Sequence, residues 1–386
     1  MYKRSQVFAA ACMSLFIFGM TVITLGSLLP SLIEKFGATA LNDSILVSVL
    51  PIGMLTSSFI FGPIADRYGY KMLLIASITI SAIALEGIAF TQSPFILYAC
   101  IFFIGFGGGI INGGGSALVS DISEENKGAS LSILGVFFGI GALGMPLLLG
   151  ILSKHFHYPV ILSAIGLFML LPVFYSLFIV FPQAKQKDGI PVREALHLLK
   201  EPALLLTCFL LFFQSGTEAL INNWTTTFIP FKTGATQEKA LYALSIALTG
   251  LTASRLLLGW LLKRISSFTV FIISLLLVIT GSLILYSTNA YPLSFAALIL
   301  CGLGLAAGFP VTLGYVGQLY TRLSGTAFSI AFVFAVIGNT IISYTCGFIK
   351  AKYSIAYLPV MVIITVACMV ILLIAIKKKI GNRIKM

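Results

Sequence analysis

Hydrophobic residues fill twelve segments of the chain, and short polar stretches separate most of these segments from one another. Each segment has about 20 residues or more, the length that an α-helix needs to cross the hydrocarbon core of a bilayer. A transmembrane β-barrel would instead show segments of about ten residues with alternating polarity, and that pattern is missing. We therefore predict twelve transmembrane helices, called spans 1 to 12, at residues 7–29, 44–64, 72–91, 95–119, 129–153, 159–181, 203–231, 239–262, 268–288, 293–319, 325–349 and 354–376.

The chain repeats itself at a constant offset of 197 residues, and the repeat needs no gap. Because the repeated unit holds six spans, we predict an all-α membrane protein with two pseudo-symmetric six-helix bundles. The bundles are expected at residues 1–181 and 203–386, joined by a cytoplasmic linker at 182–202. In membrane proteins built from such repeats, the substrate site lies near the bilayer midplane where the repeats meet. The matched glycines include Gly19/Gly216, Gly53/Gly250, Gly105/Gly302, Gly107/Gly304 and Gly141/Gly338.

The composition agrees with a protein embedded in lipid. Hydrophobic residues make up 59% of the chain and charged residues 9%, and the mean hydropathy is +1.06, so there is too little polar surface for a soluble protein of 386 residues. Most of the 24 Lys and Arg residues fall on the inner side if both termini are cytoplasmic. The net charge of +12 then reflects topology, and we expect no nucleic-acid partner. We expect a monomer in a bacterial-type cytoplasmic (inner) membrane.

A charged loop between spans 2 and 3 reads Gly62-Pro-Ile-Ala-Asp66-Arg67-Tyr-Gly69-Tyr-Lys71. It resembles the G-x-x-x-D-R-x-G-x-[RK] loop of the major facilitator superfamily, and with twelve spans and a two-fold repeat the resemblance covers essentially the whole chain. The resemblance implies that the loop is a latch, in which Arg67 pairs with Asp121 and Asp66 lies against the start of span 11. The alternative is that these charges only set the topology.

Four further segments resemble a narrower branch of the superfamily, the fucose and glucose/galactose permease-like proteins. They are Gly105-x-Gly107-Gly-Gly-x-x-Asn112, Phe137-Phe-Gly139-Ile-Gly141-Ala-Leu-Gly-x-Pro146, Gly216-Thr-Glu218-Ala with Trp224, and Gly308-Phe-Pro310-Val-Thr312. This resemblance implies a proton-coupled sugar symporter. The chain departs from the branch at Gly135, where many relatives carry a His, and it lacks the acids that some relatives use in helices 1 and 4. Proton coupling must therefore use another group.

Apart from Lys239, the first residue of span 8, only three charged residues fall within the predicted spans, namely Glu86, Glu218 and Arg255. Glu86 lies near the outer end of span 3, where it can reach the interface. Arg255 stands in Ser254-Arg255-x-x-x-Gly259, which resembles the family's G-R-x-x-x-G packing motif, and we expect it to be a structural ion or hydrogen-bond partner.

Glu218 lies near the centre of span 7, and Gln214, Asn222 and Thr225 share its helical face. Desolvation disfavours an ionised carboxylate at that depth, so Glu218 could exchange a proton as water access alternates between the two sides. We predict that Glu218 is the proton carrier. The alternative is a permanently neutral or Arg-paired glutamate that only holds helices together.

The predicted substrate lining is rich in amides and hydroxyls. Amides both donate hydrogen bonds to hydroxyl groups and accept them, and an aromatic ring packs on the C–H face of a pyranose. These properties favour a sugar or a similar small polar solute, although Trp224 alone would also suit the interfacial aromatic belt. The lining residues are Asn112, Gln214, Asn222, Asn223, Trp224, Tyr315 and Asn339.

Secondary active transport by proton-coupled symport is the leading functional prediction. A proton-coupled antiporter that exports drug-like or amphiphilic compounds is the alternative. A membrane-embedded enzyme is disfavoured, because the spans contain no nucleophile, His and acid set and no cluster with metal-ligand spacing. No metal and no cofactor are expected. A solute receptor that no longer transports is the third hypothesis.

Overall fold

The computed structural model describes residues 2–36, 43–124, 126–152, 155–185 and 192–381. Twelve helices in this part of the chain are long and apolar enough to cross a membrane, which confirms the predicted all-α class. Linker residues 186–191 and the last residues, 382–386, lie outside the described residues. The helices are α1 (Arg4–Phe36), α2 (Asp43–Tyr68), α3 (Tyr70–Phe90), α4 (Pro94–Ile122), α5 (Lys127–Leu152), α6 (Tyr158–Phe178), α7 (Val192–Leu198), α8 (Pro202–Thr233), α9 (Gln237–Leu261), α10 (Ser267–Ser287), α11 (Tyr291–Leu305), α12 (Gly308–Leu319), α13 (Ser324–Lys352) and α14 (Leu358–Ile380), with a 3₁₀ turn at Ile355–Tyr357.

Span 10 differs from its prediction. The sequence predicts one helix over 293–319, whereas the structure has two helices, α11 and α12, separated by a turn at Ala306 and Ala307. Pro310 explains the interruption, because it has no N–H to donate to the carbonyl of Ala306 and its ring crowds that carbonyl. Helical bonding resumes where the Val311 N–H donates to the Ala307 carbonyl at 3.0 Å. An interrupted span leaves carbonyl groups at membrane depth that need partners from other helices.

Contacts between Cα atoms divide the chain into two compact units. Unit 1 comprises Met1–Ile122, Phe137–Leu196 and Thr321–Ile330, and unit 2 comprises Ser123–Val136, His197–Tyr320 and Ala331–Met386. Each unit thus includes a short segment from the opposite sequence repeat. These two segments, Thr321–Ile330 and Ser123–Val136, largely correspond under the offset of 197 residues.

Glycines of the sequence repeat mark the closest helix crossings within each unit. In unit 1, a Cβ atom at Gly105 of α4 would overlap the Leu50 carbonyl of α2. In unit 2, a Cβ atom at Gly302 of α11 would overlap the Ala247 carbonyl of α9. Small residues let two helix backbones approach this closely, and close packing is a main source of helix association in lipid. The repeat therefore preserves the same crossing in both units.

We expect Gly105→Ala to lower the free energy of unfolding by about 1–3 kcal/mol, because the added methyl group collides with a backbone atom that cannot move aside cheaply. Gly115→Ala on the same helix is the matched control. There a Cβ atom meets nothing closer than the Leu15 Cδ2 at 3.7 Å. The control should change stability by less than about 1 kcal/mol. Thermal unfolding of the purified variants in one detergent measures both effects. Equal stability of the two variants would contradict the close contact between α4 and α2 at Gly105.

Candidate functional site

Glu218 lies at the centre of the 32-residue helix α8. The side chain of Gln214 links it by hydrogen bonds to the interrupted span. The Gln214 side chain is 1% exposed, and its Nε2 donates to Glu218 Oε1 at 2.9 Å and to the Leu305 carbonyl at 3.0 Å. Leu305 ends α11, so Gln214 supplies a partner for a carbonyl that the interruption frees. Gly308 makes this possible, since a Cβ atom there would overlap the Gln214 amide. We call Gln214, Glu218 and Leu305 the central cluster.

Arg255 of α9 is 8% exposed and fills the space beside Gly135. Its Nη1 donates to the Gly135 carbonyl at 3.2 Å, and a Cβ atom at Gly135 would lie 3.0 Å from that same nitrogen. The Ser132 hydroxyl donates to the Arg255 carbonyl at 2.7 Å. Gly135 is thus the position that leaves room for the guanidinium, where the resembled branch often has a His.

Glu218 and Arg255 lie in unit 2 and attract each other electrostatically. In the described part of the chain they form no direct ion pair, because no nitrogen of Arg255 lies within 4.0 Å of a Glu218 oxygen. The carboxylate instead accepts its hydrogen bond from Gln214.

Two of the predicted lining residues meet at a serine that was not among the predicted lining residues. Asn223 Nδ2 and Trp224 Nε1 donate to the Ser343 hydroxyl at 3.1 Å and 3.2 Å. The Lys350 ammonium lies 5.4 Å from the centre of a Trp224 ring. Trp224 is half-buried, whereas Asn223 is exposed. Ser343, on α13, carried no sequence signal beyond its polarity in a span.

The other predicted lining residues are dispersed. Asn339 is half-buried and its Nδ2 donates to the Ser215 carbonyl at 3.4 Å, while Asn222 is exposed. Tyr315 is buried, and its hydroxyl shares a hydrogen bond of 3.1 Å with Ser267 at the start of α10. Asn112 is half-buried on α4 in unit 1.

Asp66, at the end of α2, accepts hydrogen bonds from the first turn of α13 within unit 1. It is 1% exposed and accepts from the Gly325 N–H at 3.0 Å, from the Thr326 N–H at 2.8 Å and from the Thr326 hydroxyl at 2.7 Å. A carboxylate at a helix N-terminus satisfies free N–H groups and interacts favourably with the helix dipole. Gly62 allows the approach, because a Cβ atom there would crowd Gly325. Gly69 has φ of +82°, a conformation that favours glycine.

Asp121 forms its ion pair with Lys185, a residue that the sequence analysis did not assign to the latch. Lys185 Nζ lies 2.7 Å from Asp121 Oδ1. The backbone N–H of Lys185 donates to the backbone carbonyl of Asp66 at 3.0 Å. Asp121 also accepts from the Tyr70 hydroxyl at 2.7 Å and the Ser324 hydroxyl at 2.9 Å. The Arg67 guanidinium lies 5.7 Å from the centre of the Tyr68 ring. Lys185 belongs to the linker and to no motif, so only its charge could have pointed to it.

The twelve long apolar helices among the described residues are those of a multi-pass membrane protein. Residues 11–343 match the model of the Major Facilitator Superfamily, and the chain belongs to this superfamily. The superfamily consists of transporters and not of enzymes, as the sequence predicts.

Among its relatives, the glucose/mannose transporter GlcP of Bacillus subtilis is 25% identical over 86% of this chain and 85% of its own length. Bypass of stop codon protein 6 of Saccharomyces cerevisiae is 25% identical over 92% of this chain and 80% of its own. The multi-drug resistance efflux pump PmrA of Streptococcus pneumoniae is 26% identical over 51% of both chains.

Two solved structures share the fold. The fucose:proton symporter FucP of E. coli has a TM-score of 0.81 and 18% identity, and the match covers 98% of both chains. The proton:xylose symporter XylE, bound to 6-bromo-6-deoxy-D-glucose, has a TM-score of 0.82 and 14% identity, with coverage of 98% of this chain and 96% of its own. At these identities the likeness establishes the fold alone.

We expect Asp66→Asn to lower the free energy of unfolding by about 1.5–3 kcal/mol, since the buried carboxylate accepts three hydrogen bonds and an amide cannot replace them all. Lys185→Gln should cost less than about 1 kcal/mol, because its ion pair with Asp121 is partly exposed and screened. Thermal unfolding at matched ionic strength compares the two variants. A larger loss from Lys185→Gln would contradict this order.

Proposed function

We propose that this protein is a secondary active transporter that couples the movement of a sugar, or a similar small polar solute, to a proton by alternating access. The observation that carries the proposal is the central cluster, in which Glu218 accepts a hydrogen bond from Gln214 midway along α8. Ionisable groups at membrane depth are rare, and those that face a protein interior commonly belong to ion or substrate pathways. Glu218 is the proposed proton carrier.

A discontinuous helix at the same place supports this proposal. In transporters of several folds, interrupted helices supply free backbone groups to substrate and coupling-ion sites near the midplane. Here the Leu305 carbonyl at the end of α11 bonds to the same Gln214 amide that binds Glu218. A change in the protonation of Glu218 therefore acts directly on the contact between α8 and the interrupted span.

Sugar is the proposed substrate class because polar amides and one indole stand on the helices that carry the central cluster. The names of three relatives agree with this choice, since GlcP is a glucose/mannose transporter, FucP a fucose symporter and XylE a xylose symporter. The proposed substrate ligands remain Asn112, Gln214, Asn222, Asn223, Trp224, Tyr315 and Asn339.

The charged groups around Asp66 and Asp121 are the proposed gate. Their hydrogen bonds join residues of the first sequence repeat to the first turn of α13, from the second repeat. We propose that these bonds form and break during the transport cycle, with Arg67 and Lys185 as cationic partners. Both termini are proposed to be cytoplasmic, in an inner membrane, and the protein is proposed to act as a monomer.

Proton-coupled export of drug-like compounds is the second candidate. The observation that favours it is the similarity of half the chain to PmrA, a multi-drug resistance efflux pump. A panel in proteoliposomes separates the two candidates. Counterflow of a labelled monosaccharide supports symport of a sugar, whereas proton-driven movement of a lipophilic cation alone supports the exporter.

We expect Glu218→Gln to abolish accumulation of solute against its gradient when an inward proton gradient is imposed. Counterflow should survive, because exchange needs no net proton movement. Glu86→Gln is the matched control, since Glu86 is also a carboxyl group within a span and accepts a hydrogen bond of 2.6 Å from Ser163. The control should accumulate solute as the unchanged protein does. Uphill uptake by Glu218→Gln would refute the assignment of Glu218.

A further inference from the structure

Arg255 is a buried cation whose hydrogen bonds are incomplete. One donor, Nη1, reaches the Gly135 carbonyl, and the buried Nε has no hydrogen-bond partner among the described residues. A guanidinium has five N–H donors and stays charged in proteins. Burying a charged group without partners is costly, so a site that keeps such a group gains much when an acceptor arrives. The structure therefore holds a buried cation with spare hydrogen-bond donors within a predicted span.

The charge that balances Arg255 comes from Glu218. Glu218 stands on α8 and Arg255 on α9, two helices that pack against each other within unit 2, and their opposite charges attract. The neighbouring polar group on the carboxylate is the neutral amide of Gln214. The two charges lie beyond direct ion-pair distance. A ligand group can thus bind Arg255 without first displacing a salt bridge.

Protonation of Glu218 removes this balancing charge. The guanidinium then stands in a medium of low polarity without a counter-charge, which is an unfavourable state. A negatively charged solute restores the balance, whereas a neutral sugar does not. Binding of a proton to Glu218 and binding of an anion to Arg255 must therefore favour each other, and such coupling is reciprocal.

We propose that the transported solute is a hydroxylated carboxylate, such as a sugar acid, and that its carboxylate binds Arg255 when Glu218 is protonated. This inference rests on the proposed proton-coupled symport and specifies its substrate class. A carboxylate suits the free donors, because Arg binds carboxylates through two parallel N–H groups. Gly135 contributes by leaving the space that the guanidinium occupies.

Charge balance distinguishes this mechanism from symport of a neutral sugar. One proton enters on the Glu218 carboxylate and one negative charge enters with the solute, so each cycle moves no net charge. No covalent bond forms or breaks except the O–H bond of the protonated carboxyl group. Symport of a proton with a neutral sugar would move one positive charge in each cycle.

The test uses the full chain in proteoliposomes, with labelled galacturonate against galactose and labelled glucuronate against glucose. Each pair differs by a carboxylate in place of a hydroxymethyl group. We expect one of the acids to show at least tenfold faster counterflow than its neutral partner. Under a proton gradient, its accumulation should not change when a potassium gradient with valinomycin imposes an inside-negative potential. Arg255→Gln should abolish the preference for the acid, and Arg255→Lys should retain part of it.

The outcomes separate the two proposals. Counterflow of a neutral sugar without its acid, or acid accumulation driven by the inside-negative potential, overturns the role of Arg255 and leaves proton-coupled sugar symport intact. Movement of a lipophilic cation without any sugar or acid overturns both proposals. Because Arg255→Gln could fail to fold, the substrate preference and voltage response of the unchanged protein decide the matter by themselves.

Discussion

The hydrocarbon interior of a bilayer offers no hydrogen-bond partners, and this constraint governs the structure. Helices satisfy their own backbone groups, so the long apolar segments in the part of the chain that the structure describes are helical. Hydroxyl groups within them bond to carbonyls one turn earlier, as Thr217 does to Phe213 and Thr225 to Ile221. Where a helix is interrupted, another side chain must take over, and Gln214 does so for Leu305. Several buried polar atoms of the described residues have no hydrogen-bond partner, and Arg255 Nε is the one among them that belongs to a charged group. Its charge and its spare donors are why it carries a functional proposal.

Close packing of helices replaces the hydrophobic effect as the force that holds such a fold together, because lipid is as apolar as the helix surface. Glycines at the crossings of α2 with α4 and of α9 with α11 let backbones touch. The same requirement places functional groups. Gly308 makes room for the Gln214 amide, and Gly135 makes room for the Arg255 guanidinium. The helix crossings and the placement of the functional side chains thus both depend on glycines, at different positions of the chain.

One contact of the candidate site followed from periodicity along the chain. Gln214 and Glu218 are four residues apart, so a helix alone places them in contact, and the structure shows that contact. The twelve spans followed from the length of the apolar segments. The interruption of span 10 was missed because apolar residues continue across it, although Pro310 was visible in the sequence. The contacts of Lys185 with Asp121 and of Ser343 with Trp224 were not predicted, because the partners lie far apart in the chain and no local pattern records such a pairing.

The sequence by itself determined the class of the protein, the number of its spans and the repeat, because each depends on local hydropathy and spacing along one chain. The family followed as well, since the loop from Gly62 to Lys71 needs no partner to be recognised. Only the tertiary structure decided which groups meet across helices: Gln214 with the Leu305 carbonyl, Asp66 with the start of α13, and Arg255 with Gly135 in place of a direct pair with Glu218. The physical reason is that these contacts are set by how helices distant in sequence pack, and neighbouring residues do not encode the distance between two helices.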